Sequence, residues 1–444
     1  MTNAEAGGKF FSRQMWIWLA LYALFALTFV HFQVYGDALV YFNLLRRFAG
    51  EHPDFAFAYQ FGSDVWNAPF FAVGRVLSAI FSPEPKIFHV SIEEISITVA
   101  CQVAFLVTLY LGWKLLRGLR LPASASVLFV TVLGSQLFYY VMFEPAMKHA
   151  VDTLYITAAV VLLLRIQTRS FSDRHVVALG ALAGVSVNTR YVNAAFFFAI
   201  AVAFALTNKR ALILAGSVAV LVGGLLFALP ALRGISYFEP SYFPRSAIAH
   251  LASGGSTGPV ASTTNPFNGF DPLIPLKMLF TDHRGMFVWT PLTAFGAVGY
   301  ALALRREHEA GRRRFLWTLL GASVALLVGH TFWAEWDGAY SYSSRFLTAE
   351  FPLVLIGIAE LRRRFGRSLY VPLAACIGWS FILMFVHVVG YDGITAGDSA
   401  TDEIHHFVAT PSQFVVKVRK LGTKRWVYIG GLMHGTDPDH VHGP

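Results

Sequence analysis

The sequence predicts an all-α, polytopic membrane protein with about eleven transmembrane helices and interfacial helices in its outer loops. Three observations carry that expectation. Apolar runs of bilayer length recur along the 444 residues. Charged residues make up only 14% of the chain, against about 25% in soluble domains, so a water-facing surface cannot be dressed over the whole length. Lysine and arginine gather in the turns between the apolar runs and alternate from rich to sparse.

A hydrocarbon core of about 30 Å needs about 20 apolar residues per helix. The segments that answer to this are 15–34, 95–115, 124–143, 149–166, 175–189, 191–207, 211–230, 286–304, 315–333, 346–361 and 368–389. The first is too long for the apolar region of a cleavable signal and lacks a small-residue cleavage site, so it reads as an uncleaved helix. The fifth and sixth are short and meet at Asn188-Thr189-Arg190-Tyr191, which allows either two crossings or one bent helix. With the N-terminus cytoplasmic, the inner turns hold Lys9 and Arg13; Lys114, Arg117 and Arg120; Arg165, Arg169 and Arg174; Lys209 and Arg210; Arg305, Arg306 and Arg312 to Arg314; and Arg362 to Arg364 with Arg367. The short outer turns hold one cation each: Lys148, Arg190 and Arg345. Merging the doubtful pair breaks this alternation downstream, which favours two crossings.

Three longer segments then fall outside. In 35–94, the stretch 70–81 follows Asn67-Ala68-Pro69 and gathers apolar residues opposite Arg75 and Ser78, as a helix lying in the interface does. Segment 231–285 centres on Ser253-Gly254-Gly255-Ser256-Thr257-Gly258-Pro259, the composition of a mobile loop or lid. The chain therefore divides into a transmembrane unit, 1–390, and a small extracytoplasmic extension, 391–444. No internal repeat is visible, which disfavours transporters built from two related halves. The net charge of +9 does not indicate a nucleic-acid partner, because the arginines are spread over short loops rather than one face. Cys101 and Cys376 lie inside apolar runs and read as core residues, not a disulfide framework.

Charged groups near a bilayer are costly, so those at the outer helix ends are the functional candidates. Asp37 follows the first helix in Val34-Tyr35-Gly36-Asp37-Ala38. It reads as an N-cap or as a general base at the mouth of a membrane cavity, with a metal ligand a weaker alternative. Walls that face lipid would raise the basicity of a carboxylate there. The turn Glu144-Pro145-Ala146-Met147-Lys148-His149 sets two cations beside a helix N-terminus, a place suited to an anion such as a phosphate or the Glu144 carboxylate. Arg190 stands with Asn188 and Asn193 between two helices. Asp282-His283-Arg284-Gly285 leads into a further helix, and Trp333 to Phe346 crowds Glu335, Trp336, Asp337, Tyr342 and Arg345 into one short loop. Arginine pairs bidentately with phosphate and lysine acts as a point charge, while aromatic and acidic side chains suit sugar faces and hydroxyls. The set fits transfer of a group away from a phosphate held in the bilayer.

These stretches resemble the GT-C superfamily of membrane glycosyltransferases, relatives of the protein mannosyltransferases and of the aminoarabinose transferase of lipid A. The resemblance spans residues 15 to about 390 and rests on Asp37 after the first helix, the interfacial helix, the 144–149 turn, Asp282-His283-Arg284-Gly285-Met286-Phe287-Val288-Trp289-Thr290-Pro291, and Trp336 to Phe346. Bacterial members read approximately Pro-x-Met-x-His, Arg-His-Gly-Leu-Phe and Trp-x-x-Gly-x-x-x-Gly-x-Arg in comparable stretches. This chain departs from them by inserting Lys148 before His149, by the order His283-Arg284, and by Ser343-Ser344 before Arg345. The resemblance implies a glycosyltransferase domain over 1–390 that inverts the anomeric centre of a sugar on a polyprenyl-phosphate carrier. It implies Asp37 as catalytic base and Arg345, Arg284, Lys148, His149, Arg190 and His283 around the donor phosphate. Glu144, Asp64, Trp336, Glu335, Asp337 and Tyr342 are then left to sugar or acceptor. Many relatives carry two adjacent acids where Gly36 and Ala38 flank Asp37, so no metal cofactor, or at most a weakly bound divalent cation, is expected; Asp64 is the nearest second acid. The expected partners are the lipid-linked donor, a lipid, glycan or protein acceptor and membrane lipid, in a bacterial inner membrane with the site extracytoplasmic. Two rivals stand beside this: a polysaccharide polymerase or ligase with a lipid-diphosphate donor, and a lipid-linked sugar transporter. The second would need polar groups at the midplane, where only Gln136, His330, Glu350 and His387 are available.

Overall fold

The computed structural model describes residues 10–32, 34, 37–53, 60–81, 90–168, 172–235, 271–332, 341–390, 399–409, 412 and 415–419. It is an all-α polytopic membrane protein, and each of the eleven apolar segments folds as helix. The N-terminal half runs α1 (Arg13–Phe29), α2 (Asp37–Phe48), α3 (Gly62–Ile80), α4 (Ile92–Gly118), α5 (Ala125–Leu133), α6 (Gln136–Met142), α7 (His149–Thr168), α8 (Asp173–Thr189), α9 (Asn193–Thr207) and α10 (Lys209–Leu232). The second half has α11 (Ile274–Phe280), α12 (Met286–Trp289), α13 (Leu292–Arg306), α14 (Ala310–Gly329), α15 (Phe351–Phe365), α16 (Tyr370–Gly390) and α17 (Ala400–Ala409).

By length and apolarity, five helical stretches can cross a bilayer: Ile92–Gly118, His149–Thr168, Lys209–Leu232, Ala310–Phe332 and Arg345–Val388. The last holds both α15 and α16. The expected span 124–143 is broken, because α5 and α6 meet at 82°. Gly134 ends α5 against Leu292, where a Cβ would have no room, and Ser135 starts afresh. The expected span 286–304 is likewise split at Thr290-Pro291, since proline offers no N–H to continue the ladder. The 175–207 region is two separate helices, α8 and α9, which part at Arg190.

The interfacial helix α3 starts earlier than the sequence predicts, at Gly62, and carries Pro69 inside it. Phe71 and Gly74 turn inward toward α4, while Val73, Val76, Leu77 and Ile80 stay exposed. On α10, Ile213, Val220, Leu221 and Leu232 are at least 61% exposed. Such unbroken apolar surface is costly in water and natural in lipid. The core lies around α4, α5, α7 and α15, where Leu109, Leu128, Ile156 and Leu355 are fully buried. Close approach is decisive at one crossing: Gly299 of α13 and Gly357 of α15 lie backbone against backbone, so any side chain there would push the two helices apart. The C-terminal helix α17 docks on the turn before α12, where Ala400 N donates to Asp282 O at 2.8 Å.

Candidate active site

The site assembles where the ends of α2, α7, α8 and α14 meet the 3₁₀ turn Arg345–Glu350. Asp37 is the first residue of α2, whose inner face (Ala38, Phe42, Leu45) packs on Phe71 of α3 and Ala146. That packing sets the helix N-terminus, and with it the Asp37 carboxylate, at the rim of a cavity. Arg345 Nη1 lies 3.5 Å from Asp37 Oδ2. The same cavity is lined by Lys148, His149, Arg190 and His330, with Tyr41, Gln60, Tyr191 and Phe346 between them.

Each cation is held. Arg190 Nη1 donates to Asp152 Oδ2 at 3.2 Å and to the Phe346 carbonyl at 3.0 Å. Asn193 Nδ2 donates to the other Asp152 oxygen at 2.6 Å. Arg190 and Arg345 both lie over the Phe346 ring, at 5.0 and 5.2 Å, so one aromatic face spaces two guanidinium groups. Lys148 donates to Gln60 Oε1 and lies 5.4 Å from the Tyr41 ring. Burial first, and then the Arg190 cation, push its ammonium down to about 7. Two imidazole nitrogens, His149 Nδ1 and His330 Nε2, are buried at this cavity without a hydrogen-bond partner among the described residues. His330 Nδ1 donates to Leu326 O at 2.8 Å, which leaves Nε2 as an acceptor in the neutral ring.

Of the predicted residues, Asp37, Lys148, His149, Arg190 and Arg345 thus meet in one cavity. Three others form an adjoining aromatic layer. Glu144 accepts from Tyr139 Oη at 3.1 Å, and burial raises its carboxyl, with Arg345 opposing. Tyr139 stacks on Tyr342 at 4.7 Å, and Tyr342 meets Trp289 edge-on at 5.3 Å. Arg284 is fully buried 4.7 Å from the Trp289 ring. The layer meets the cavity where Tyr140 contacts His149 at 4.3 Å. His283 is half-buried in the turn outside it. Asp64 lies fully buried on α3 behind Lys148, and neither of its oxygens has a hydrogen-bond partner among the described residues. Burial drives its carboxyl upward and the Lys148 charge opposes. Glu335, Trp336 and Asp337, with the 253–259 loop, lie outside the described residues. Among the described residues, no three His, Cys, Asp or Glu side chains cluster as a metal site would require.

Sequence reasoning missed Asp152, Tyr41, Gln60 and Tyr191, and left His330 open between a helix contact and a transport-pathway residue. Asp152 had a usable mark: it sits three residues after His149, on the same face of an apolar helix, where a carboxylate needs a partner.

No protein-family model and no curated protein matches the sequence. The structure does have a likeness. The solved structure of ArnT from Cupriavidus metallidurans, bound to undecaprenyl phosphate, aligns with 95% of this chain and 73% of its own at a TM-score of 0.55 and 16% identity. The chain has a GT-C-like fold. At that identity the likeness is one of architecture, and the chemistry rests on the cavity.

Proposed function

We propose that this chain is an inverting glycosyltransferase of the bacterial inner membrane. It moves one sugar from a polyprenyl-phosphate carrier to an extracytoplasmic lipid, glycan or protein acceptor. The carrying observation is the cavity that sets the Asp37 carboxylate 3.5 Å from Arg345 and beside Lys148, His149 and Arg190. One base among several cations suits a reaction that takes up one proton and releases one phosphate. The undecaprenyl phosphate bound in the structural neighbour supports the same donor class. An apolar groove adds to this: it is lined by Leu327 and Leu347, neighbours in sequence of the cavity residues His330 and Phe346, and by Val324, Ala297 and Leu304. In this reading the groove takes the start of the prenyl chain.

The acceptor oxygen attacks the anomeric carbon while the bond from that carbon to the phosphate oxygen breaks. The electron pair leaves with the polyprenyl phosphate, and the acceptor proton passes to Asp37. Arg345, Lys148 and Arg190 neutralise the charge that develops on the leaving oxygen. Because Arg345 is paired with Asp37 beforehand, an arriving phosphate competes for that guanidinium and frees the carboxylate for the acceptor. In this reading His330 Nε2 and Gln60 order sugar hydroxyls, with Glu144, Asp64 and Arg284 behind them. No metal ion is assigned a role.

Purified protein offered a panel of radiolabelled polyprenyl-phosphate sugars and a membrane extract transfers label from at least one, with or without chelator. Asp37→Asn folds normally and loses about 10²- to 10⁴-fold in rate. Wild-type turnover in that variant removes the base assignment. Use of diphosphate-linked donors alone moves the enzyme to the polymerase or ligase class.

A further inference from the structure

Helix α7 joins the Asp37 cavity to a second cleft. His149, its first residue, lines the former, and Leu164, Arg165 and Thr168 of its last turns line the latter. Twenty residues at about 1.5 Å each separate the two by about 30 Å, the thickness of a hydrocarbon core. The second cleft opens between the ends of α4 and α7. Its charged residues are Lys114, Arg117 and Arg165, and no acid lines it.

Several other arginines in the basic turns at this end of the bundle have carboxylate partners. Arg210 pairs with Asp173, Arg312 with Glu307 and Glu309, and Arg306 and Arg363 with Glu360. Among the described residues, no ion pair involves Lys114, Arg117 or Arg165. Lys114 and Arg117 instead lie on aromatic rings, 4.4 Å from Tyr110 and 4.8 Å from Trp113. Two helix C-termini add about one negative charge between them, too little to balance three cations. The floor is apolar, formed by buried Trp113, Val161 and Leu164. A free anion has no use for such a floor, whereas a lipid has a glycerol or acyl stem to lay along it.

We infer that this cleft binds the phosphate headgroup of an anionic membrane lipid, at the membrane face opposite the Asp37 cavity. Lys114, Arg117 and Arg165 converge on the phosphate, and Trp113, Val161 and Leu164 take the start of the lipid tail. Such a lipid ties the ends of α4 and α7 together where the protein supplies no carboxylate to do so. The inference is independent of the reaction at the other end.

The test uses the full chain in nanodiscs of phosphatidylcholine and phosphatidylglycerol in equal amounts, with retained lipids read by native mass spectrometry. Wild type retains phosphatidylglycerol over phosphatidylcholine by about tenfold or more. The triple variant Lys114→Glu, Arg117→Glu, Arg165→Glu loses that preference, while Arg313→Glu, an exposed cation of α14 outside the cleft, keeps it. Equal retention of both lipids by wild type, or an undiminished preference in the triple variant, overturns the inference. Displacement of the lipid by excess inorganic phosphate marks a free-anion site and overturns the lipid assignment.

Discussion

Two carboxylate–guanidinium pairs serve the same cavity and differ in almost every physical respect. Asp152 and Arg190 are 0% and 4% exposed, 3.2 Å apart, and further bonded by Asn193 and the Phe346 carbonyl. Asp37 and Arg345 are 44% and 17% exposed and 3.5 Å apart. A buried pair is fixed, because separating it strands a charge in a low dielectric. A half-exposed pair is worth about 1 kcal/mol or less and exchanges partners readily. The first pair therefore builds the wall, and the second is available for chemistry.

The largest effect should come from breaking the wall. Asp152→Ala leaves Arg190 buried without its counter-ion and should cost about 3–5 kcal/mol in stability, with loss of activity as a consequence. Asp152→Asn keeps a hydrogen-bond acceptor and should recover part of the loss. Denaturation in mild detergent or nanodiscs measures both. An Asp152→Ala protein as stable as wild type would remove the distinction between the two pairs.

Arg345 tests the working pair in the opposite sense. Arg345→Ala should change stability by no more than about 1 kcal/mol yet lower turnover by about 10²- to 10³-fold, the usual loss for one group that stabilises developing charge. Arg345→Lys restores charge without the forked geometry and should lie between the two. A fall in stability that matches the fall in rate would make Arg345 a structural residue like Arg190.

The same contrast explains what was legible in the sequence. Apolar length and lysine–arginine alternation are one-dimensional properties, so the eleven apolar segments could be read directly, and the alternation favoured parting α8 from α9 at Arg190. Breaks depend on neighbours: the 82° bend after α5 is set by Leu292 against Gly134, some 150 positions away in the chain. In the site, exposed or terminal charges such as Asp37, Lys148 and Arg345 stood out because they interrupt apolar sequence. Asp152 was passed over because a carboxylate one turn inside a helix looks the same whether or not an arginine from another helix meets it. Gln60 and Tyr41 carry no charge, and only the tertiary path that brings them to Lys148 marks them.

Lys148 sharpens the comparison most finely, because burial weakens the very charge that it would offer to a phosphate. Its ammonium is pushed down to about 7, chiefly by burial and then by the Arg190 cation, whereas an unfolded lysine titrates near 10.4. Below about pH 7 the folded protein carries the charge and offers it to the donor phosphate. As pH rises through 7 that charge is lost, so kcat/KM, which reports the free enzyme, should fall by about tenfold. Stability should move the other way. Between about 7 and 10.4 the unfolded chain holds a proton that the folded chain lacks, and unfolding therefore becomes harder as pH rises. Lys148→Arg stays cationic across this range, so both trends should flatten together. A wild-type kcat/KM that is level from pH 6 to 9, or a Lys148→Arg profile that still falls at 7, would take Lys148 out of donor binding and leave it as a contact between Gln60 and Tyr41.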